Sequence, residues 1–143
     1  MKVLINVCHG GFGISDEALL LWAQKNNITL VKQTSYSTYS SHDYYTDGDQ
    51  IVTGDFIERD DPTLIEVFEE IGSKRTSGDC AQLSLVEIPD SCKYSITEYD
   101  GWESISTWIS VTIEELTAGL STDKLVAALK ADSIRLKRTI ERT

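Results

Sequence analysis

Cations are the first shortage in this sequence. Lys and Arg number 13 against 23 Asp and Glu in 143 residues, a formal net charge of −10. A phosphate polymer is repelled by that charge, which argues against a nucleic acid polymer bound along its backbone. Histidine is scarcer still: His9 and His42 are too few and too far apart for a zinc site, so no metal is expected. Cys8, Cys80 and Cys92 form no Cys-x-x-Cys pair and leave one over from any disulfide. Reduced thiols in a reducing compartment are the expectation. No apolar run reaches bilayer length, and Met1-Lys2 leads straight into a strand without the sections of a signal peptide. A cytoplasmic protein with no membrane partner is therefore expected. Internal repeats and low-complexity tracts are also absent.

What is present is a hydrophobic share of 41%, ordinary for a globular chain and enough for one domain spanning residues 1–143. The chain is organised around residues 6–15, Asn-Val-Cys-His-Gly-Gly-Phe-Gly-Ile-Ser. Residues 2–8 read as a buried strand carrying Val3, Leu4, Ile5 and Val7. Gly10, Gly11 and Gly13 then break the pattern, and a helix follows with Ser15 as N-cap and Asp16 and Glu17 in its first turn. Two readings of this turn are open. One is a tight connection where only glycine fits; the other is an anion seat built from backbone N–H groups at a helix start. The motif is neither Gly-x-Gly-x-x-Gly nor a Walker A loop.

Residues 16–25 predict a helix too apolar for one-sided burial, and residues 28–31 a short second strand. Residues 33–54 read as a long polar loop with Tyr36, Tyr39, Tyr44 and Tyr45, either a lid, an interface or a hairpin whose tyrosines pack locally. Residues 56–60 predict a short strand. Asp61 then caps a helix with Pro62 at its first position, Leu64, Ile65, Phe68 and Ile71 as its stripe, and Gly72 as its stop. The polar connection after it offers Lys74 and Arg75 as a basic contact. Residues 83–88 and 93–99 predict a hairpin, and residues 102–114 a third strand in which 105, 107, 109, 111 and 113 share the buried face. Ser121 or Thr122 starts a last helix running to about Arg142. Arg135, Lys137, Arg138 and Arg142 near its end complement the helix dipole, or meet an acidic face of a neighbouring subunit. The fold class expected is α/β or α+β: a mixed sheet with an N-terminal strand, glycine-rich turn and helix, an antiparallel meander in the second half, and a C-terminal helix.

Ten acids lie between Asp43 and Glu70, with Arg59 the only base among them. A solvated acidic face explains this more simply than mimicry of nucleic-acid charge.

Four blocks taken together resemble a family of small phage and prophage proteins of unassigned activity. They are residues 9–18 (HGGFGISDEA), Arg59-Asp60-Asp61-Pro62, Glu87-Ile88-Pro89-Asp90, and residues 98–103 (EYDGWE). The resemblance covers scattered parts of residues 1–105 and carries no catalytic residue with it. It implies a phage-type setting, in which a short acidic protein resembles in character the sponge proteins that sequester nucleotide immune signals.

The residues themselves offer little for catalysis. Adjacent Cys8 and His9 point to opposite faces of a strand and form no dyad, Cys8 reading as a core thiol. Ser15 lacks nucleophile-elbow spacing, and Asp60/Asp61 and Glu69/Glu70 read as surface acids. A binder needs only convergent donors and a stacking surface. The candidate ligand residues are His9, Gly10, Gly11, Phe12, Gly13, Ser15, Arg59, Tyr99, Asp100, Trp102 and Glu103. In this set residues 10–15 hold a phosphate, His9 or Arg59 adds charge, Phe12, Tyr99 or Trp102 stacks on a base, and Asp100 or Glu103 takes ribose hydroxyls. The expectation is a homo-oligomer that sequesters a small nucleotide-like ligand without cofactor or turnover. A nucleotide or ADP-ribose hydrolase using Asp100 or Glu103 is the enzyme alternative, and an acidic inhibitor of a host defence protein is the third.

Overall fold

The structure is a computed structural model that describes residues 1–136. It is an α+β fold in which the chain forms two compact units. One holds Lys2–Val86 and Tyr99–Glu103; the other holds Met1, Glu87–Glu98 and the described residues from Ser104 to Leu136.

In the larger unit, strand β1 (Lys2–Asn6) buries Val3, Leu4 and Ile5 and pairs with β5 (Leu83–Glu87). Helix α1 (Asp16–Lys25) starts where Ser15 Oγ accepts from Ala18 N–H at 3.1 Å. Helix α2 (Pro62–Thr76) starts the same way, with Asp61 Oδ1 accepting from Leu64 N–H at 2.9 Å and proline at its first position. Gly72 breaks α2 with φ +84°, and one further turn follows. Leu4, Leu19, Tyr45, Ile57, Leu64, Ile65 and Leu83 form the core, with Phe12, Ile14 and Trp22 packed against it.

Residues 33–54 are not an irregular loop. Strands β2 (Val31–Tyr36), β3 (Ser41–Asp47) and β4 (Gln50–Val52) make an antiparallel sheet, with Tyr36 opposite Ser41 and Asp47 opposite Gln50. Every β2 residue except Ser35 is exposed and Tyr45 is the one buried residue of β3, so neither strand shows the alternation that would reveal a buried face. The second strand consequently begins at Val31 rather than ending there. Residues 56–60 are not a strand either; a single 3₁₀ turn, Gly54–Phe56, leads to buried Ile57.

Strands β6 (Lys93–Tyr99) and β7 (Trp102–Val111) join through Asp100-Gly101. Both turn residues have positive φ, 49° and 85°, as a type I′ hairpin requires. The predicted hairpin of residues 83–88 with 93–99 is replaced by this one, because β5 pairs with β1 instead. In the smaller unit, α3 (Ile113–Ala118) opens with a capping box between Thr112 and Glu115. Helix α4 (Thr122–Lys130), capped by Ser121, ends well before Arg142. Asp132 explains the early stop: its carboxylate accepts from Thr107 N–H at 2.8 Å, and the chain continues as β8 (Ser133–Leu136), parallel to β7. Arg135 is not on a helix; its guanidinium lies 3.7 Å over the Trp108 ring. Lys137, Arg138, Ile140 and Arg142 lie outside the described residues. Ile109, Val111, Cys92 and Ala127 form this unit's core.

Candidate functional site

The site grows from the end of β1. Asn6 is fully buried, and its side chain is fully used. Nδ2 donates to the carbonyls of Cys8 at 2.7 Å and Gly101 at 2.8 Å, while Oδ1 accepts from Gln82 N–H at 2.8 Å and from the Cys8 thiol at 3.3 Å. One amide thus fastens the β6–β7 turn to the start of the glycine-rich turn. The packing is close: a Cβ on Gly101 would stand 2.5 Å from the His9 carbonyl oxygen and 2.6 Å from Gly11 N. Glycine at 101 is required both by φ and by this approach. Sequence reasoning missed Asn6, although an amide closing an apolar strand run was a readable signal.

Behind the turn lies an ion pair. Glu103 is 6% exposed and its oxygens accept from Arg59 Nη1 at 2.7 Å and Nη2 at 2.9 Å, with a third bond from Asn6 N–H at 2.8 Å. Arg59 also donates to the Leu4 carbonyl at 3.3 Å and stacks 3.3 Å over the centre of the Phe12 ring. Four residues of the expected ligand set have internal partners. Glu103 is sealed from any ribose or substrate, Arg59 has its charge balanced internally, and Phe12 gives a ring face to Arg59. Ser15 is spent as well: its N–H donates to Thr76 O at 2.9 Å and its hydroxyl to Arg75 O at 2.5 Å. Cys8 is half-buried and donates toward Cys80 O at 3.2 Å rather than sitting in the core. Arg75, the expected basic contact, is paired with Glu17, whose carboxyl is held below its usual range chiefly by that hydrogen bond.

The remaining residues converge on one surface. His9 Nδ1 lies 3.2 Å from the Asp100 carbonyl oxygen and 3.9 Å from its carboxylate. The His9 and Trp102 rings stand 5.3 Å apart, tilted by 55°. His9, Tyr99, Asp100 and Trp102 all keep much of their surface in solvent, Tyr99 being 81% exposed. Gly10 is packed on Cys80, whereas Gly11 and Gly13 face open space, with no atom within 4 Å of an added Cβ. Among the described residues no oxygen accepts from the N–H groups of Gly11, Phe12 or Gly13. Chemically, the surface offers an imidazole, a carboxylate and two exposed aromatic rings, beside half-buried residues 11–13 whose amides have no acceptor among the described residues.

No protein-family model, curated protein or solved structure matches this chain. Among the described residues no three His, Cys, Asp or Glu side chains group to hold a metal ion, and no helix is long and apolar enough to cross a membrane.

Proposed function

We propose that the chain binds a small nucleotide-like ligand, without turnover, where residues 9–13 meet the Asp100-Gly101 turn. The observation that carries this reading is the juxtaposition of unspent amides at Gly11–Gly13 with the exposed rings of His9 and Trp102. In this reading the amides hold a phosphate, Trp102 or Tyr99 stacks on the base, and Asp100 accepts from ribose hydroxyls. The net charge is a surmountable obstacle, because cellular salt confines surface charges to about 8 Å. Attraction must come from the amide dipoles and His9, since Glu103 balances Arg59.

Absence of turnover is favoured by the sealing of Glu103, which removes one of the two bases considered. The hydrolase reading keeps a single supporting observation, His9 Nδ1 within 3.9 Å of the Asp100 carboxylate. Physiologically, a binder of this kind suits the capture of a nucleotide immune signal in a host cytosol, as phage sponge proteins do, working as a homo-oligomer. The test is incubation with cyclic dinucleotides and ADP-ribose derivatives, then heat release and mass spectrometry. Intact ligand retained by wild type and lost in Trp102→Ala is expected; products in the released fraction favour the hydrolase, and no retention rejects both.

A further inference from the structure

A second surface of the larger unit lies along the free edge of β4. A groove of about 670 Å³ is lined by Trp22, Asp49, Gln50, Ile51, Val52 and Phe56. Its apolar content is exposed: Phe56 is 76% and Ile51 56% open to solvent. Trp22 forms a fixed wall, its indole N–H donating to Asp61 Oδ1 at 3.2 Å. Because the strand order is β2-β3-β4, one side of β4 has no strand partner among the described residues, and its outward N–H and C=O groups are a template for an added strand.

The charge around the groove is one-sided. Asp43 is paired with Lys32, Glu66 and Glu70 with Lys25, and Glu69 with Lys2. Arg59, the only base between Asp43 and Glu70, is consumed by Glu103. Asp47, Asp49, Asp55 and Asp61 therefore have no cation partner among the described residues. Asp49 lines the groove, Asp47 is paired in register with Gln50, Asp55 adjoins Phe56, and Asp61 holds Trp22.

We infer that this edge is a docking site for an extended basic peptide of a partner protein, with one large apolar side chain seated between Trp22 and Phe56. The peptide adds to β4 as a fourth strand through main-chain hydrogen bonds, the groove selects its apolar residue, and the unpaired aspartates select Lys and Arg on either side. The inference stands independently of the nucleotide proposal, which uses none of these residues.

The test uses the intact protein and a synthetic nine-residue peptide with a central Phe flanked by two Lys or Arg on each side. Controls replace Phe by Ser, or the basic residues by Glu. Binding is followed by anisotropy of the labelled peptide at low and high salt, and by amide hydrogen exchange at Gln50–Val52. The expected result is saturable binding that weakens steeply with salt, protection at Gln50–Val52, and at least tenfold weaker binding for the Ser peptide and for Phe56→Ser. Phe56 is exposed, so that variant should fold; Asp49→Asn is the second, milder variant. Equal binding of the Phe and Ser peptides would reduce the site to charge attraction and overturn the inference. So would protection confined to other segments, or a free protein already dimeric with Gln50–Val52 protected, which would make a second copy the occupant.

Discussion

The two units differ in how they hold themselves together. The larger buries bulky side chains, Leu4, Leu64 and Leu83 each at 1% exposure or less. The smaller closes over Cys92, Ile109, Val111 and Ala127, while Leu129 remains 80% and Ile113 62% exposed. In place of volume it has polar anchors: the reciprocal Thr107–Asp132 bonds, the Thr112–Glu115 capping box, and a Lys124–Glu115 ion pair. The lesson is that the candidate ligand surface and the groove both stand on the unit with the deeper core, where positioning is cheapest to maintain.

The largest effects should separate the two cores. Leu64→Ala should cost about 4 kcal/mol and Val111→Ala about 2 kcal/mol, since removed volume and residual cavity set the loss. Urea denaturation with hydrogen exchange resolved by segment measures both. Equal losses would break the contrast. Next is the ion pair under the site: Glu103→Ala should cost about 3 kcal/mol, because it strands a half-buried guanidinium, whereas Arg59→Met with Glu103→Leu should recover most of it. The double variant should also keep the His9–Trp102 surface, readable as retained ligand binding.

A smaller effect of opposite sign is expected at the end of α2. Thr76 is fully buried and its hydroxyl has no partner among the described residues, so Thr76→Val should stabilise by about 1 kcal/mol. A loss would mean that the hydroxyl is used. The smallest effects are the acid ones. Glu115 is held below its usual range, first by Lys124 and then by the Thr112 amide, and Glu17 by Arg75. A depressed carboxylate contributes stability that is present above the ordinary carboxylate range and lost as pH falls through the lowered one. Glu115→Gln should therefore melt slightly below wild type at pH 7, and the difference should shrink as pH falls below the ordinary carboxylate range. Glu17→Gln should do the same for the larger unit. The difference stays small because the Glu17 pair is exposed and the Glu115 pair is still about a third in solvent.

Much of this was legible in the sequence wherever a local rule had one outcome. Ser15, Asp61-Pro62 and Ser121 mark helix starts and Asp100-Gly101 a hairpin turn, while Gly72, read as the stop of α2, only breaks it before one further turn. The sheet of residues 31–52 was hidden because β2 is almost wholly exposed and Tyr45 is the one buried residue of β3, so no alternation survives. Helix α4 was overextended because the leucine spacing continues past Lys130, while Asp132 diverts the chain through a tertiary contact that spacing does not carry. At the site, the sequence brought His9, Gly11, Asp100 and Trp102 into one hypothesis. It misassigned Glu103, although residues 103, 105, 107, 109 and 111 share one parity and the buried face of β7. A carboxylate in phase with a buried face needs an internal partner, and Arg59 is that partner.

The amides of the glycine-rich turn are the proposed seat of the ligand, and amide chemical shifts read them directly. On titration with ADP-ribose or a cyclic dinucleotide, the proposal predicts saturable shifts at Gly11, Phe12 and Gly13 accompanied by the Trp102 indole. Shifts at none of these groups, or shifts confined to other segments at saturating ligand, would contradict it.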